Sequence, residues 1–316
     1  MTLAALPLST LRGFVVFFGL IWGSFLNVVI YRVPREMSVV HPGSTCPACG
    51  KPIRPWDNVP VVSWLLLRGR ARCCGAKVSA RYPLVEALGG ALSFALFELV
   101  IRPLPPDLSL LRVSGIYLLY FALAMSMLAA AFIDFEHMIL PDSINFAALV
   151  IGLATARFRG LGLESSAFGA AVGFTIVWLP FVFLYRAIRG REGMGLGDAK
   201  LIMVCGAWFG WSGAVWALLA GSVQGTVFAI FTWLVKGKLE EPEAVKKELE
   251  ELRAAAKKGD REAKRILEED PLGEEAEEGF SQSRIAFGPF LIMAMLEYLL
   301  LGPEILQVIR GYLLIE

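Results

Sequence analysis

The sequence predicts an all-α polytopic membrane protein with about eight transmembrane helices, a cytoplasmic loop that contains cysteines, and a charged helical cytoplasmic insertion. Hydrophobic residues make up 56% of the 316 residues and the mean hydropathy is +0.60, whereas a globular chain is about 45–50% apolar. The charged residues, 19% of the chain, are concentrated in two blocks. This composition excludes global disorder and a secreted disulfide scaffold. The formal net charge of +1 gives no reason to expect nucleic acid as a partner.

Eight apolar runs are candidates for membrane-spanning helices, because about 20 mostly apolar residues are needed to cross a hydrocarbon core of roughly 30 Å. They are 11–31, 83–101, 114–133, 143–157, 167–185, 199–211, 213–235 and 285–302. The fourth and the sixth are the shortest. The first run has the position of a signal peptide, but it is too long and has no small-residue cleavage site after it. We therefore expect it to be a retained helix.

The distribution of Lys and Arg predicts the orientation of these helices. The segment 32–81 carries nine basic residues against two acidic ones, so we expect it to face the cytoplasm. With eight spans, the segments 134–142, 186–198 and 236–284 lie on that same side. Both chain ends then lie outside.

Five regions follow from this division of the chain. They are the first transmembrane helix, 1–31; the cytoplasmic cysteine loop, 32–82; the transmembrane core, 83–235; the charged cytoplasmic insertion, 236–284; and the last transmembrane helix with the C-terminal tail, 285–316. The insertion is rich in Glu, Lys, Arg and Ala, which favours one or two solvated helices with a break at Gly259-Asp260. The composition of residues 273–279 predicts a flexible acidic linker. The sequence is compatible with two roles for this segment, a solvated insertion or an element that docks a partner.

Two carboxylates lie at the ends of apolar runs. Asp134 ends one run, and Asp198 opens another directly after Gly195-Leu196-Gly197. Ionisable residues near membrane depth are costly and are therefore candidates for function. Both are expected at the cytoplasmic ends of spans, where two Asp side chains could share a water and a proton, as aspartyl proteolysis requires. Taken singly, Asp134 could be an interfacial carboxylate and Asp198 a helix N-cap.

Four cysteines fall in the basic loop. Cys46 and Cys49 form a C-x-x-C knuckle, and the adjacent pair Cys73 and Cys74 follows 24 to 25 residues later. A cytoplasmic location disfavours a stable disulfide, whereas four thiolates could close a tetrahedral structural zinc site. Adjacent cysteines chelate one metal less readily than C-x-x-C. Free thiols and a three-cysteine metal site are therefore alternatives to the four-cysteine zinc site.

A set of motifs runs in order along nearly the whole chain. It comprises GSFLNVVIYR at 23–32, CPAC at 46–49, Asn58 to Trp64, Gly69-Arg70, SARYPLVE at 79–86, Asp134 with Pro141-Asp142, GLGD at 195–198 and FGPF at 287–290. In this order the motifs resemble those of the bacterial type IV prepilin peptidases, bifunctional leader peptidase/N-methyltransferases of the GxGD aspartyl protease class. A lone GxGD is a weak signal, but the ordered set is specific.

The resemblance implies a multi-pass enzyme of the bacterial inner membrane whose active site faces the cytoplasm. Such an enzyme cleaves the basic leader of type IV prepilins or type II secretion pseudopilins after a Gly, and then methylates the new N-terminal amine with S-adenosylmethionine. The resemblance also implies that Asp134 and Asp198 are the catalytic pair. The expected partners are prepilin or pseudopilin substrates and the lipid bilayer.

The chain departs from the family pattern at two places. The family usually has a second C-x-x-C, and Ala71 stands where its first cysteine belongs; Cys74 fits the second position, and Cys73 is a candidate substitute ligand. The charged insertion at 239–279 is longer than the usual linker. The alternatives are a peptidase without methyltransferase activity and a proton- or cation-coupled transporter. The internal repeats typical of a transporter are not evident in the sequence.

Overall fold

The structure is a computed structural model that describes residues 7–190, 193–237, 242–269 and 285–313. Its helices are α1 (Leu8–Arg32), α2 (Val62–Leu66), α3 (Arg81–Leu96), α4 (Leu110–His137), α5 (Asp142–Ala154), α6 (Leu163–Val177), α7 (Tyr185–Arg189), α8 (Leu196–Lys236), α9 (Glu243–Lys257), α10 (Arg261–Glu269) and α11 (Gly288–Leu313). π-Helical turns extend α3 over Phe97–Ile101 and α6 over Trp178–Leu184, and short 3-10 helices cover Val33–Arg35 and Pro55–Asn58.

Within the described residues, six helices are long and apolar enough to cross a membrane. The all-α polytopic fold class predicted from the sequence is therefore confirmed. The eight predicted runs all fall on helices, but α5 has only 13 residues, or about 20 Å, and α8 contains both 199–211 and 213–235. The number of crossings therefore depends on α5 and α8.

The chain divides into two compact units, Met1–Ala129 with Leu299–Glu316 and Ala130–Tyr298. In the first unit α1 packs against α3 at glycines. A Cβ at Gly23 would lie 2.7 Å from the Cα of Glu86, and a Cβ at Gly19 would collide with the Gly89 carbonyl oxygen. Small residues allow helix backbones to approach this closely in a membrane protein.

In the second unit α6 packs against the beginning of α8 in the same way. A Cβ at Gly169 would collide with the Gly206 carbonyl oxygen, and a Cβ at Gly173 would collide with that of Ile202. These contacts bring the two backbones together without intervening side chains. They hold the first half of α8, which carries Asp198, in a fixed position against α6.

α8 is interrupted at Gly210, where the backbone has φ 77° and ψ −177°. Only glycine adopts these angles without strain. The Cys205 thiol donates a hydrogen bond to the Gly213 carbonyl oxygen at 3.3 Å, although eight residues in a straight helix would separate the two backbones by about 12 Å. The helix therefore bends sharply at this glycine.

Contacts with α11 give the direction of the second half of α8. The Cβ position of Gly213 lies 3.3 Å from Tyr298, and that of Gly225 lies 3.0 Å from Phe287, at the beginning of α11. Residues further along α8 thus contact earlier residues of α11. The second half is antiparallel to α11.

The first half of α8 begins at the same end as α11. Side-chain atoms of Leu140 lie 3.2 Å from the Cβ position of Gly197 and 3.1 Å from that of Gly288. α8 is therefore a helical hairpin that turns at Gly210, which accounts for the two separate apolar runs in the sequence.

Polar side chains satisfy the carbonyls that this turn leaves without helical partners. Arg159 donates hydrogen bonds to the carbonyl oxygens of Trp208 at 2.6 Å and Ala207 at 3.4 Å, and its guanidinium carbon lies 4.4 Å from the centroid of the Trp208 ring. The Ser166 hydroxyl donates to the Ala207 carbonyl at 2.6 Å. The last carbonyls of a helix need such partners when they are buried.

The predicted helices of the charged insertion are α9 and α10, and the chain breaks between them at Lys258–Asp260 as expected. Val245 and Leu249 of α9 are buried, in agreement with the sparse apolar positions of this segment. The predicted linker at 273–279 lies outside the described residues.

Candidate active site and thiol cluster

Asp134 lies in the last turn of α4. The helix ends where Met138, with φ 54°, donates its N–H to the Asp134 carbonyl at 2.8 Å. The Asp134 side chain is only 5% exposed, and its Oδ2 is buried without a hydrogen-bond partner among the described residues. The backbone of Gly288 lies against it, since a Cβ at Gly288 would be 2.7 Å from Oδ2. Only glycine leaves room for the carboxylate there.

Asp198 lies in the first turn of α8. The preceding Gly195 is extended, with φ −67° and ψ 145°, and its carbonyl accepts the Asp198 N–H at 3.1 Å. The partial positive charge of a helix N-terminus favours a carboxylate at this position. Gly195 leaves backbone rather than a side chain beside the Asp198 carboxylate, since a Cβ at Gly195 would lie 3.4 Å from Asp198 Oδ2.

The structure brings the two aspartates together. Both line one cavity of about 450 Å³, whose other lining residues are Met138, Ile139, Leu140, Pro141, Asp142, Gly195, Gly197 and Lys200. The volume falls within the range of substrate pockets. Two carboxylates at one small cavity disfavour double ionisation, which favours a pair that shares one proton and binds water.

An ion pair closes one side of this cavity. Lys200 Nζ lies 2.7 Å from Asp142 Oδ1 and 2.8 Å from Oδ2, and 5.5 Å from the centroid of the Phe146 ring. The pair joins the first turn of α5 to the second turn of α8. It therefore fixes the 138–141 segment between α4 and α5, which forms a wall of the cavity.

Sequence reasoning did not assign a role to Lys200 or to Gly288. Lys200 follows GLGD by two residues, and Gly288 belongs to the FGPF motif. Motif membership could have indicated both positions. Their contacts with Asp142 and Asp134, however, join residues far apart in the chain.

The four loop cysteines also come together. Their sulfur atoms all lie within 4.8 Å of one another. The Sγ–Sγ distances are 3.7 Å for Cys46–Cys74, 3.3 Å for Cys49–Cys73 and 3.9 Å for Cys73–Cys74. Four sulfurs at 2.3 Å from a tetrahedral zinc would be about 3.8 Å apart. The cluster therefore has the dimensions of a zinc–thiolate site.

Two similar turns hold these thiols. In the first, Gly50 donates its N–H to the Cys46 carbonyl at 2.8 Å; in the second, Gly75 donates to the Ala71 carbonyl, also at 2.8 Å. Ala71 therefore occupies the place of Cys46 in the second turn, in agreement with the departure noted in the sequence. Cys73, from the third position of that turn, brings its sulfur into the cluster instead.

The thiols differ in acidity because of their hydrogen bonds. Backbone N–H groups of Ala48 and Cys49 lower the pKa of Cys46 to about 7. Hydrogen bonds with the Cys49 and Cys46 sulfurs raise the pKa of Cys73 to about 12. Four sulfurs in so small a volume cannot all be thiolates without a cation, and a bound metal would deprotonate all of them. The donor set fits a thiophilic metal.

Comparison with known proteins identifies relatives of both parts of the chain. The bacterial peptidase A24 N-terminal domain model matches residues 17–100, and the type IV leader peptidase family model matches residues 120–230. Similar proteins named prepilin leader peptidase/N-methyltransferase occur in Myxococcus xanthus (36% identity, 94% of this chain and 92% of the relative), Burkholderia pseudomallei (35%, 76% and 82%) and Neisseria gonorrhoeae (36%, 74% and 84%). No solved structure matches the chain.

Proposed function

The chain belongs to the type IV leader peptidase family, and from this premise we propose that it is an aspartyl endopeptidase of the bacterial inner membrane. It removes the basic leader of type IV prepilins or pseudopilins after a glycine, on the cytoplasmic side, and then N-methylates the new N-terminal residue. The observation that carries the peptidase assignment is the single cavity lined by Asp134 and Asp198. The names of the relatives support the methylation step.

The pair acts with one proton between its two members. Asp198 lies at a helix N-terminus, which favours its ionised form, and Asp134 lies at a helix C-terminus, which favours its protonated form. Asp198 takes a proton from water as the water oxygen bonds to the scissile carbonyl carbon. Asp134 donates a hydrogen bond to the carbonyl oxygen, and Asp198 passes the proton that it took from water to the leaving amine nitrogen as the C–N bond breaks.

The cavity walls suit an extended peptide. Gly195 and Gly197 line the cavity without side chains, so a substrate backbone can approach closely. The Asp142 side chain is 58% exposed at the cavity edge despite its ion pair with Lys200. The Lys200 ammonium balances its charge, so this edge of the cavity carries no net charge from the pair.

Zinc has a structural role in this proposal. Cys46, Cys49, Cys73 and Cys74 would hold it, and it would join two turns of a loop that has few buried residues. S-adenosylmethionine would supply the methyl group as a co-substrate, and the amine nitrogen of the cleaved pilin would lose one proton as it gains the methyl group.

The test uses the purified full chain in detergent with a prepilin substrate, with and without S-adenosylmethionine. Intact-mass measurement should show loss of the leader in both reactions and the addition of one methyl group only with S-adenosylmethionine. Leader loss without methylation would identify a peptidase alone. An unchanged prepilin mass would contradict the proposal.

Variants of the pair test the residue assignment. Asp134→Asn and Asp198→Asn should each abolish cleavage while the protein remains folded in the membrane. Glu136→Gln, which removes a carboxylate from α4 outside the cavity lining, is the matched control and should cleave normally. Methylation of a pre-cleaved pilin should survive both Asn changes if the two activities use separate sites. Near wild-type cleavage by either Asn variant would refute the aspartyl mechanism.

A further inference from the structure

The short helix α2 in the cysteine loop exposes apolar side chains. Val62 is 49% exposed, Leu65 61% and Leu66 77%, and Trp56 in the preceding 3-10 helix is 63% exposed. Four large apolar side chains within eleven residues are more than the scattered apolar exposure of an ordinary surface. A cluster of this kind marks an interaction surface.

A buried carboxylate of α3 fixes the position of this helix. The Val61 N–H donates to Glu86 Oε2 at 2.6 Å, and Glu86 is only 8% exposed. Val61 has φ 61° and ψ −49°, which is a genuine outlier for a β-branched residue. The Ser63 hydroxyl donates to the Trp56 carbonyl at 3.0 Å and ties the two exposed segments together. The chain thus accepts backbone strain to hold α2 against a membrane-spanning helix.

The depth of α2 follows from the contact between α1 and α3. Glu86 lies level with Gly23, because a Cβ at Gly23 would be 2.7 Å from the Glu86 Cα. Gly23 is eight residues, or about 12 Å, below Tyr31 along α1. Tyr31 is half exposed, with the Arg35 guanidinium 4.3 Å from its ring centroid, an arrangement typical of a membrane interface.

α2 cannot extend far above this interface. Val61, the residue before α2, is bound to Glu86 through its amide. From there the five residues of α2 span only about 7 Å along the helix axis. Even its far end therefore lies close to the level of Tyr31. Leu65 and Leu66 lie at the depth of the last turns of α1, where the surrounding medium is lipid.

The positive charge of the residues that flank α2 also favours a location at the lipid surface. Arg68 and Arg70 directly follow α2 and are exposed, and Arg54 precedes the 3-10 helix. Basic residues next to a membrane are attracted to anionic lipid headgroups, each by about 1 kcal/mol. An apolar ridge bordered by arginines is the pattern of an interfacial helix.

We propose that α2 is an interfacial membrane anchor of the cysteine loop. Val62, Leu65 and Leu66 enter the boundary between headgroups and acyl chains, and Arg68 and Arg70 contact anionic headgroups. The occupant of the apolar surface is the bilayer that the chain itself spans. The anchor holds the thiol cluster against the membrane surface, and it does not depend on the proposed enzymatic function.

The test uses the full chain in vesicles of phosphatidylethanolamine and phosphatidylglycerol. A photoactivated carbene reagent dissolved in the bilayer is compared with a water-soluble one, and the labelled peptides are located by mass spectrometry. Phe17, exposed on α1, is the lipid reference, and Val40, 70% exposed in the loop, is the aqueous reference. Residues 62–66 should be labelled from the bilayer like Phe17. Labelling of these residues from water, as at Val40, would overturn the proposal. Labelling from neither phase would also overturn it, because a protein surface must then cover α2.

A charged variant tests the apolar contact itself. Leu65→Asp with Leu66→Asp should eliminate bilayer labelling at Val62, while labelling at Phe17 stays unchanged and reports an intact α1. Val40→Asp is the matched control and should leave the labelling of α2 as in the wild type. Persistent bilayer labelling at Val62 in the double variant would also contradict the proposal.

Discussion

The backbone of Gly288 determines where the Asp134 carboxylate can lie. A Cβ at this position would be 2.7 Å from Asp134 Oδ2 and 3.1 Å from Leu140. We predict that Gly288→Ala displaces the carboxylate and lowers kcat for prepilin cleavage by about 100-fold, the typical effect of an error of about 1 Å in a catalytic group. The KM should change little, because the cavity walls remain in place.

The matched control is Gly13→Ala, since Gly13 is also helical and a Cβ there has nothing within 4 Å. Steady-state kinetics of both variants, with thermal unfolding in detergent, separate a local effect from loss of fold. Unaltered kcat in the Gly288 variant would mean that Asp134 does not need its present position.

The thiol cluster gives a second prediction about single residues. Because Cys73 takes the place that Ala71 leaves vacant, we predict one zinc per chain in the wild type and loss of zinc from Cys73→Ser. The double change A71C/C73A restores a C-x-x-C spacing in the second turn and should again retain one zinc. The zinc-to-protein ratio, measured by mass spectrometry of the metal after dialysis against a chelator, checks all three.

Cys205→Ala is the control for loss of a thiol, because Cys205 is buried in α8 and should leave the zinc content unchanged. A zinc-free wild type with an ordered loop would contradict the metal assignment. Zinc retained by Cys73→Ser would instead point to three ligands.

Sequence reasoning identified these side chains to the extent that their chemistry is local. Asp134 and Asp198 stand out as carboxylates bordering apolar runs, and the cysteines stand out by their spacing. The role of Gly288 could not be predicted in this way, because it depends on a contact across more than 150 residues of chain. The turn geometry that brings the sulfurs of the adjacent Cys73 and Cys74 into one cluster could not be predicted from the sequence either.

The Arg159 guanidinium supports the turn of α8 together with the Ser166 hydroxyl. Arg159 donates at 2.6 Å to the carbonyls of both Trp208 and Gly152 and so joins the far end of α5 to the first half of α8. We predict that Arg159→Ala lowers the free energy of unfolding by about 3 kcal/mol, because buried carbonyls lose hydrogen bonds to a charged donor. Chemical denaturation of the full chain in detergent measures this loss.

Arg157→Ala is the matched control, since Arg157 is exposed two residues away and a surface change of this kind costs within about 0.5 kcal/mol. Equal stability of the two variants would show that the α8 turn does not need Arg159.

The helices themselves were predictable because each needs only a run of apolar residues. The position of the α8 turn could not be predicted in this way. The chain reverses at one glycine, so the sequence has no stretch of loop-forming residues that would mark the turn. Its signals are Gly210, which resembles the other glycines of this helix in sequence, and Arg159, whose partners in α8 lie about 50 residues away. The two runs were nevertheless separated within two residues of the observed turn.

The shared cavity constrains how many times the chain crosses the membrane. Asp134 ends α4 and Asp198 begins α8, and both line one cavity, so an even number of crossings must lie between them. The described helices between them are α5 and the continuous run of α6, its π-helical extension and α7. If the short α5 did not cross, the two aspartates would lie on opposite sides. Together with the α8 hairpin, this argues for eight crossings, as the apolar runs predicted.

Surface labelling of introduced cysteines distinguishes eight crossings from six. With eight, Ser165 at the start of α6 lies outside, whereas Ser44 and Gly259 lie in the cytoplasm, as the excess of Lys and Arg in the first loop predicts. If α5 did not cross and α8 crossed once, Ser165 would lie on the same side as the other two. A membrane-impermeant maleimide on intact cells should therefore label Ser165→Cys, and it should label Ser44→Cys and Gly259→Cys only after permeabilisation.

The unsubstituted chain is the control for the native cysteines, which should not react from outside because four belong to the cytoplasmic loop and Cys205 is buried. Protection of Ser165→Cys in intact cells together with the other two would place α5 on one side of the membrane, and the common cavity of Asp134 and Asp198 would then require a different path for α6.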